Sequence, residues 1–550
     1  MNKNVKKSFI SLLVTLVFMT TMLIWANVSD KTIYTTIHEN LTLLGNIYKE
    51  ISTNYVEEID SEDFLKAGIN GMLNSLDPYT NYIEQDSRRQ LNMLTKGKYE
   101  GIGLLLNYRN NVLTAAEPPF LGTPAARAGI REGDQIIKVD DQSTKELGFQ
   151  ESVREILGPE GTSVTLTIKR EGVDKLLEFT IIRGKITVTD IRFSGMIENN
   201  IGYIQLTRFS KNSATEISQA IRELQNKNVD GLILDLRSNP GGVLQSAVNV
   251  SDIFLDKGNS IVSIRGRSEQ AKADFQSTRD PVYPNKPITV LINRISASAS
   301  EIVAGAIQDH DRGVLLGDTT YGKGLVQSVV PLSPKTALKI TTAKYYTPSG
   351  RCIQRENYGI WEDPKKKDNE YYTDNKRKVY GGGGIAPDIY VELPIAESYV
   401  IDLRRKSMFF NFAVHYANTT TINDSSLTIT DEILTEFKHY LDENSYRYEN
   451  PFEKKLEELK KLAEQENYGN KFIDDIDMLN ESIKKINNTL FNKASNNIKK
   501  ILKQEIASKY FGTQYAVRLE LQDDPVVKKA LQILSDKDKY SEILGLNDNY

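Results

Sequence analysis

The chain has 550 residues, 39% of them hydrophobic and 26% charged, with a formal net charge of −4. That length exceeds one hydrophobic core and, at roughly 150 residues per domain, points to three or four units. The balanced charge excludes the basic footprint of a nucleic-acid binder, and the lone cysteine, Cys352, excludes an intrachain disulfide and multi-thiolate zinc sites.

Lys3, Lys6 and Lys7 precede an uncharged run from Ser8 to Ser29. Its core, Phe9 to Ala26, is just long enough to span a bilayer as a helix. The basic flank belongs in the cytosol, which puts the rest of the chain outside it. An uncleaved anchor is preferred to a cleaved signal peptide, because Ile24-Trp25-Ala26 places a large residue where cleavage wants a small one. Both readings stay open for residues 1–29.

Residues 30–95 read as an N-terminal helical region. Leu41, Leu44, Ile47 and Ile51 recur at three- and four-residue steps, and Leu76-Asp77-Pro78-Tyr79 is a turn. Packing is its expected role.

Residues 96–184 change to short strands and turns. Val164-Thr165-Leu166-Thr167-Ile168 alternates with period two. Gly101-Ile102-Gly103-Leu104 is weak evidence alone and lacks the third glycine of a dinucleotide fingerprint. Pro124 to Val139 then reads as a short helix, a tight turn and a strand. Together these resemble a PDZ domain of the circularly permuted bacterial type. The resemblance implies that Gly101, Ile102, Gly103 and Leu104 form a carboxylate-binding loop, whose backbone amides can capture a peptide C-terminus.

Residues 185–395 alternate strands and helices, the pattern of an α/β layered core. Ile201–Leu206, Gly231–Leu236 and Ile288–Ile292 read as strands, and Ala214–Leu224 as an amphipathic helix. Trp361 to Lys378, with eleven charged residues, reads as a loop excursion, and Lys365-Lys366-Lys367 within it as solvated rather than as a binding patch. Residues 396–550 read as charged amphipathic helix, with Leu456-Leu459-Leu462 and Ile483-Ile486-Leu490 at helical spacing, for a structural or oligomerising role.

Three segments of the core carry chemistry. Asp235-Leu236-Arg237-Ser238-Asn239-Pro240-Gly241-Gly242 is a strand entering a glycine turn, where amides can approach a substrate closely. Ser296-Ala297-Ser298-Ala299-Ser300-Glu301 opens a helix; a serine there is ordinarily an N-cap and, beside a base, can be a nucleophile. Gly317 to Gly324 contains Lys323 between two glycines. It matches the first seven positions of a phosphate loop, but Gly324 stands where Ser or Thr would ligate magnesium, and a strand rather than a helix follows. Of the four histidines, His310 lies twelve residues after Ser298, about 18 Å along one straight helix and too far for proton transfer. Lysine, neutral if burial depresses its pKa, is the best local base.

These segments, with Tyr345-Tyr346-Thr347-Pro348-Ser349-Gly350-Arg351 and Gly384-Ile385-Ala386-Pro387-Asp388, resemble the C-terminal processing peptidases, or tail-specific proteases, over most of residues 40–394. The resemblance implies a crotonase-like peptidase core with an inserted PDZ domain, flanked by the helical region and the helical extension. It implies Ser298 as nucleophile, Lys323 as general base, Gln327 as the residue orienting the lysine, and oxyanion donors at Ala299 and the Gly241-Gly242 turn. No metal or organic cofactor is implied. Expected partners are polypeptides with free apolar C-termini and, through residues 1–29, the inner membrane of a bacterial envelope, with the catalytic part periplasmic; a homo-oligomer stays open. Leu157 departs from the family pattern, which often has arginine there to link the PDZ domain to the active site. A non-catalytic PDZ scaffold would need no Ser298, Lys323 and Gln327 together, and a crotonase-type acyl-CoA enzyme would need neither a PDZ domain nor export.

Overall fold

The computed structural model describes residues 34–84, 97–109, 111–120, 122–334, 336–355, 370–394, 397–422 and 427–546. The apolar run from Phe9 to Ala26 and the lysines at 365–367 lie outside them. No described helix is long and apolar enough to cross a membrane. The chain divides into two compact units, residues 1–84 with 329–340, and residues 85–328 with 341–550.

In the first unit residues 34–54 are helical. The helix Ser61–Asn74 is capped by Asp60, whose carboxylate accepts the N–H groups of Glu62 and Asp63 at 2.8 and 3.0 Å. The expected turn forms, and Asp77 holds it by accepting from the backbone of Tyr79 and Thr80. A strand follows that the helical expectation did not include: Asn81–Ile83 runs antiparallel to residues 337–339.

In the second unit the PDZ domain is an antiparallel sheet of Leu106–Arg109, Val112–Ala115, Gln135–Val139, Ser163–Lys169 and Leu177–Ile182, in that spatial order. Alternate strand residues Ile136, Val164, Leu166, Ile168 and Ile181 meet Leu113 and Ile156 in one core. Pro124–Ala128 is the expected short helix, ended by Gly129 at φ +85°. The chain enters and leaves the domain through a two-stranded ribbon, Lys98–Gly101 antiparallel to Gly184–Thr187.

The α/β core is a six-stranded sheet ordered Ile191–Met196, Ile201–Leu206, Gly231–Asp235, Ile288–Ile292, Val314–Gly317, Ile389–Tyr390. The first pair is antiparallel and the rest are parallel. Strands buried on both faces read as unbroken apolar runs, which is why Gly231–Leu236 and Ile288–Ile292 show no alternation. One face, with Ile204, Leu234, Val290 and Leu315, packs on the helices Ser213–Gln225, Leu244–Ser251 and Ala299–Asp309. The other, with Tyr203, Ile233, Leu291 and Leu316, packs on Val526, Val527 and Leu534 of the helix Pro525–Ser535 and on Leu544.

The region expected as a helical extension therefore divides. Its last two helices complete the layers of the core. The helices Ser398–Arg405, Met408–Thr419, Asp431–Glu443 and Ser495–Phe511 form a separate cluster around Phe409, Phe412, Phe437 and Phe491. The hairpin of Pro451–Gln465 and Asn470–Lys493 buries little, and Leu459, Leu462 and Ile486 on it are exposed. The polar excursion also needs amending: its end is a β-hairpin, Glu370–Tyr372 against Lys378–Tyr380.

Candidate active site

The parallel strands Gly231–Asp235, Ile288–Ile292 and Val314–Gly317 deliver three loops to their C-terminal edge, the usual place for ligands in such sheets. The three chemistry-bearing segments are those loops.

Ser298 is the N-cap of the helix Ala299–Asp309 and has φ +55° and ψ −110°. A non-glycine residue there is strained by about 1–3 kcal/mol, and such strain needs surrounding contacts to hold it. Its two serine neighbours have structural duties. The Ser296 hydroxyl donates to the Leu236 carbonyl at 2.8 Å and that of Ser300 to the Asn239 carbonyl at 2.9 Å, and both residues are fully buried. Ser298 is half-buried.

Glu301 ties the segments together. It is fully buried and its carboxylate accepts four hydrogen bonds. Oε2 takes the N–H of Ser298 at 2.7 Å and the N–H of Lys323 at 2.9 Å. Oε1 takes the N–H of Gly322 at 2.7 Å and the Thr320 hydroxyl at 2.6 Å. Burial pushes the Glu301 carboxyl up, and these four donors work against that rise. Since every partner donates, the site is built for the ionised form. One oxygen thus fixes the backbones of Ser298 and Lys323 beside each other, well within reach of a lysine's four-carbon stem.

The far side of Lys323 is fixed as well. Tyr345 Oη lies 2.6 Å from the Lys323 carbonyl and 3.1 Å from that of Ser298, bridging the same two residues. Burial pushes its phenol far up, so it stays a neutral donor. Gly324 donates its N–H to Gln354 Oε1 at 2.9 Å, and Arg355 donates its N–H to Gly322. Lys323 itself is half-buried in the strand-like path before Leu325–Pro331.

The glycine turn packs directly on Ser298. A Cβ on Gly241 would stand 2.6 Å from the Ala297 carbonyl oxygen and 2.9 Å from Ser298 Cβ. Gly241 has φ +96° and Gly242 φ +151°. The two glycines differ in one respect. The Gly241 N–H donates to Asn239 Oδ1 at 2.9 Å, whereas the N–H groups of Gly242 and Ala299 have no acceptor among the described residues. Asn239 in turn donates to the Leu206 carbonyl and accepts the Ala297 N–H on its own carbonyl, so it locks the turn to the serine segment.

Gln327 lies on the strand Leu325–Pro331, half-buried. Its Nε2 is buried with no acceptor among the described residues, so that nitrogen makes no orienting contact. His310, at the far end of the helix from Ser298, binds Asp374 and the Ser260 carbonyl through its two ring nitrogens, each at 2.7 Å. Asp235 and Arg237 pair with each other, and Arg237 also bonds Asp524, the N-cap of Pro525–Ser535.

In the PDZ domain, Gly101 ends the ribbon and Gly103 has φ +83° with Thr123 so close that any Cβ would clash at 2.4 Å. Ile102 and Leu104 are buried in the domain's apolar core. Leu157 ends the helix Thr144–Ile156 and touches the space above Gly101.

Sequence reasoning missed the linking role of Glu301. The capping-box spacing Ser298-x-x-Glu301 signals its bond to the Ser298 N–H. Nothing in the spacing signals that Thr320, Gly322 and Lys323 come to the same carboxylate.

Comparison with known proteins matches four families along the chain: the CtpB-type activating protease N-terminal domain at residues 23–87, a PDZ domain at 121–170, peptidase family S41 at 200–365, and a PDZ-protease C-terminal helical domain at 399–534. A carboxy-terminal-processing protease of Bartonella bacilliformis is 39% identical over 66% of this chain and 77% of its own length. The processing protease CtpA of Bacillus subtilis is 32% identical over 76% of this chain and 90% of its own. A solved photosystem II D1 C-terminal processing protease is 27% identical over 64% of this chain and 87% of its own, with a TM-score of 0.35. With identities and shared lengths of this order, the chain belongs to the carboxy-terminal processing proteases of peptidase family S41, with a PDZ domain and a C-terminal helical domain.

Proposed function

We propose that the protein is a serine endopeptidase that cleaves exported polypeptides at or near their C-termini through a Ser298–Lys323 dyad in a crotonase-like core. The observation that carries this reading is the single Glu301 oxygen shared by the Ser298 and Lys323 amides. Lys323 in its free-base form takes the Ser298 proton as Oγ attacks the scissile carbonyl carbon. The oxyanion is held by the N–H groups of Ala299 and Gly242, which have no other acceptor, while Gly241 shapes the turn. The tetrahedral intermediate expels the amine, which takes its proton from Lys323. A water, deprotonated by Lys323, then hydrolyses the ester and restores Ser298. Gln327 serves this cycle by orienting the lysine once a substrate is in place. The amides of residues 101–104 take the substrate's terminal carboxylate, and Ile102 and Leu104 back the pocket for its last side chain.

The basic and then apolar N-terminus supports a protein held in the inner membrane with residues 30–550 on the periplasmic side. Cleavage of an apolar-tailed polypeptide by the purified protein tests the enzyme reading. Turnover is expected in the parent, and none with Ser298→Ala, Lys323→Ala or Lys323→Arg, because guanidinium does not give up its proton. Near-parent rates in either lysine variant would rule out the dyad.

A further inference from the structure

The Gly242 amide is oriented by a segment outside the three catalytic loops. A peptide unit is planar, so its carbonyl and its N–H point in opposite directions. The Gly241 carbonyl belongs to the same unit as the Gly242 N–H, and it accepts the Phe209 N–H at 3.0 Å. The Phe209 carbonyl accepts the Val243 N–H at 2.8 Å, and a Cβ on Gly242 would lie 2.1 Å from that carbonyl oxygen. Phe209 thus holds the unit by its carbonyl end and leaves the Gly242 N–H pointing the opposite way. Phe209 lies in the short link between the strand Ile201–Leu206 and the helix Ser213–Gln225. The side chains of its two neighbours bind the root of the PDZ ribbon. The Arg208 guanidinium donates to Asp190 Oδ1 at 2.7 Å, to the Val188 carbonyl at 2.8 Å and to the Thr189 carbonyl at 3.2 Å. Asp190 is fully buried, and its Oδ2 accepts the hydroxyls of Ser210 and Ser213, each at 2.5 Å, and the Ser210 N–H at 3.2 Å. Val188 donates to the Gly97 carbonyl at 3.0 Å, one step beyond the ribbon pair of Lys98 with Thr187. A Cβ on Gly97 would come within 3.0 Å of the Ser210 hydroxyl. The ribbon root and the glycine turn therefore share residues 208–210.

We infer that Arg208 is a positioning residue for catalysis: clamped to Asp190 and the ribbon root, it fixes the Phe209 amide and so aims the Gly242 N–H at the oxyanion. This rests on the reading of Gly242 as an oxyanion donor. Arg208 touches no reacting atom and acts only through Phe209. Its planar fork meets one carboxylate and two carbonyls in a fixed arrangement, which the flexible ammonium of a lysine does not reproduce. Asp190 is braced in turn by two serine hydroxyls, so the clamp does not depend on a solvent-exposed contact. The ribbon by which the chain enters and leaves the PDZ domain thereby reaches the reaction centre by a route that does not involve Leu157.

The test uses the full chain and two inhibitors, an apolar peptide ending in an aldehyde and the same peptide ending in an alcohol. Ser298 Oγ adds to the aldehyde carbon, its proton passing to Lys323 and the carbonyl electron pair to the oxygen; the alcohol offers no such carbon. The ratio of the two inhibition constants therefore reports how well the oxyanion is held. The parent should prefer the aldehyde. Arg208→Gln should lower that preference and kcat together, about ten- to hundredfold, because the amide is misaimed rather than removed. Arg208→Lys should fall between parent and glutamine. It keeps a cation beside the buried Asp190, so a fold lost with glutamine still leaves the lysine variant to decide. Binding of a free-acid tail peptide, measured in the Ser298→Ala background, should not change. Parent-like aldehyde preference in both variants would overturn the positioning role and leave the dyad intact. Loss of tail binding in step with kcat would also overturn it, by showing general disruption. If the parent itself binds aldehyde no more tightly than alcohol, the oxyanion reading fails and the inference falls with it.

Discussion

Ser298 is held at φ +55° by contacts on every side: Glu301 on its N–H, Tyr345 at its carbonyl and Gly241 against its Cβ. Replacing it separates the strain from the chemistry. Ser298→Ala and Ser298→Gly should both be inactive, but glycine adopts this conformation without steric penalty and alanine does not. The glycine variant should therefore be the more stable of the two by about 1 kcal/mol, seen as a higher urea midpoint at unchanged slope. Equal midpoints would mean that the turn is not strained. Glu301→Gln tests the link to Lys323. The amide keeps the shape but turns one acceptor into a donor facing backbone N–H groups. Losing charge-assisted hydrogen bonds of about 1.5–3 kcal/mol each should lower kcat at least tenfold. KM and tail binding should change little, since Glu301 touches only the serine and lysine segments. A variant that lost tail binding in proportion to kcat would indicate general disruption instead.

The loops at the end of the core sheet show which elements are legible without a structure. The strand–turn Asp235–Gly242, the serine-led helix and the Gly322-Lys323-Gly324 turn each announce themselves by local composition, and each forms where expected. Their mutual placement is not local. The division of labour between Gly241 and Gly242 depends on Asn239 reaching forward two residues with its side chain to accept the Gly241 N–H, and on another strand end, where Phe209 donates to the Gly241 carbonyl and accepts the Val243 N–H, bypassing the Gly242 N–H. The structural duties of Ser296 and Ser300 depend on carbonyls about 60 residues away. In the same way the amphipathic helix Pro525–Ser535 is legible as a helix, but its burial on the core sheet is a tertiary fact. At this scale Asn239→Ala is informative. It frees the Gly241 N–H and leaves the Leu206 carbonyl without its donor in a buried site, at a cost of about 1–3 kcal/mol. Activity should fall by a larger factor than stability explains, because the amide pair proposed to hold the oxyanion loses its brace. Parent-like kcat would remove Asn239 from that role.

Across the whole second unit, the PDZ domain is held by more than its ribbon. Phe410, on the helix Met408–Thr419, lies 3.5 Å from the Arg109 guanidinium and 4.2 Å from Lys509 Nζ, measured to its ring centroid. Lys509 is ion-paired with Glu132 of the PDZ domain, and both are nearly buried, at 6% and 11% exposure. Gly133 beside it has φ +86° and fits against Val414 with no room for a side chain. The helical domain thus braces the face of the PDZ domain that carries the Arg131–Asp134 turn. A buried ion pair contributes little net stability, but removing one partner strands the other charge. Lys509→Met alone should therefore destabilise the protein by about 3–5 kcal/mol. The double variant Lys509→Met with Glu132→Leu should recover much of that loss, because the deeply buried Glu132 leaves with its partner, and Glu505, the lysine's other contact at 3.8 Å, is a third exposed. Thermal unfolding of the parent, both single variants and the double variant measures the cycle. The PDZ domain should also become more sensitive to limited proteolysis in Lys509→Met and regain protection in the double variant. If the single variants match the parent, solvent reaches the pair and the brace rests on Phe410 alone; Phe410→Ala, a loss of about 3–5 kcal/mol for a packed aromatic ring, would then carry the whole effect.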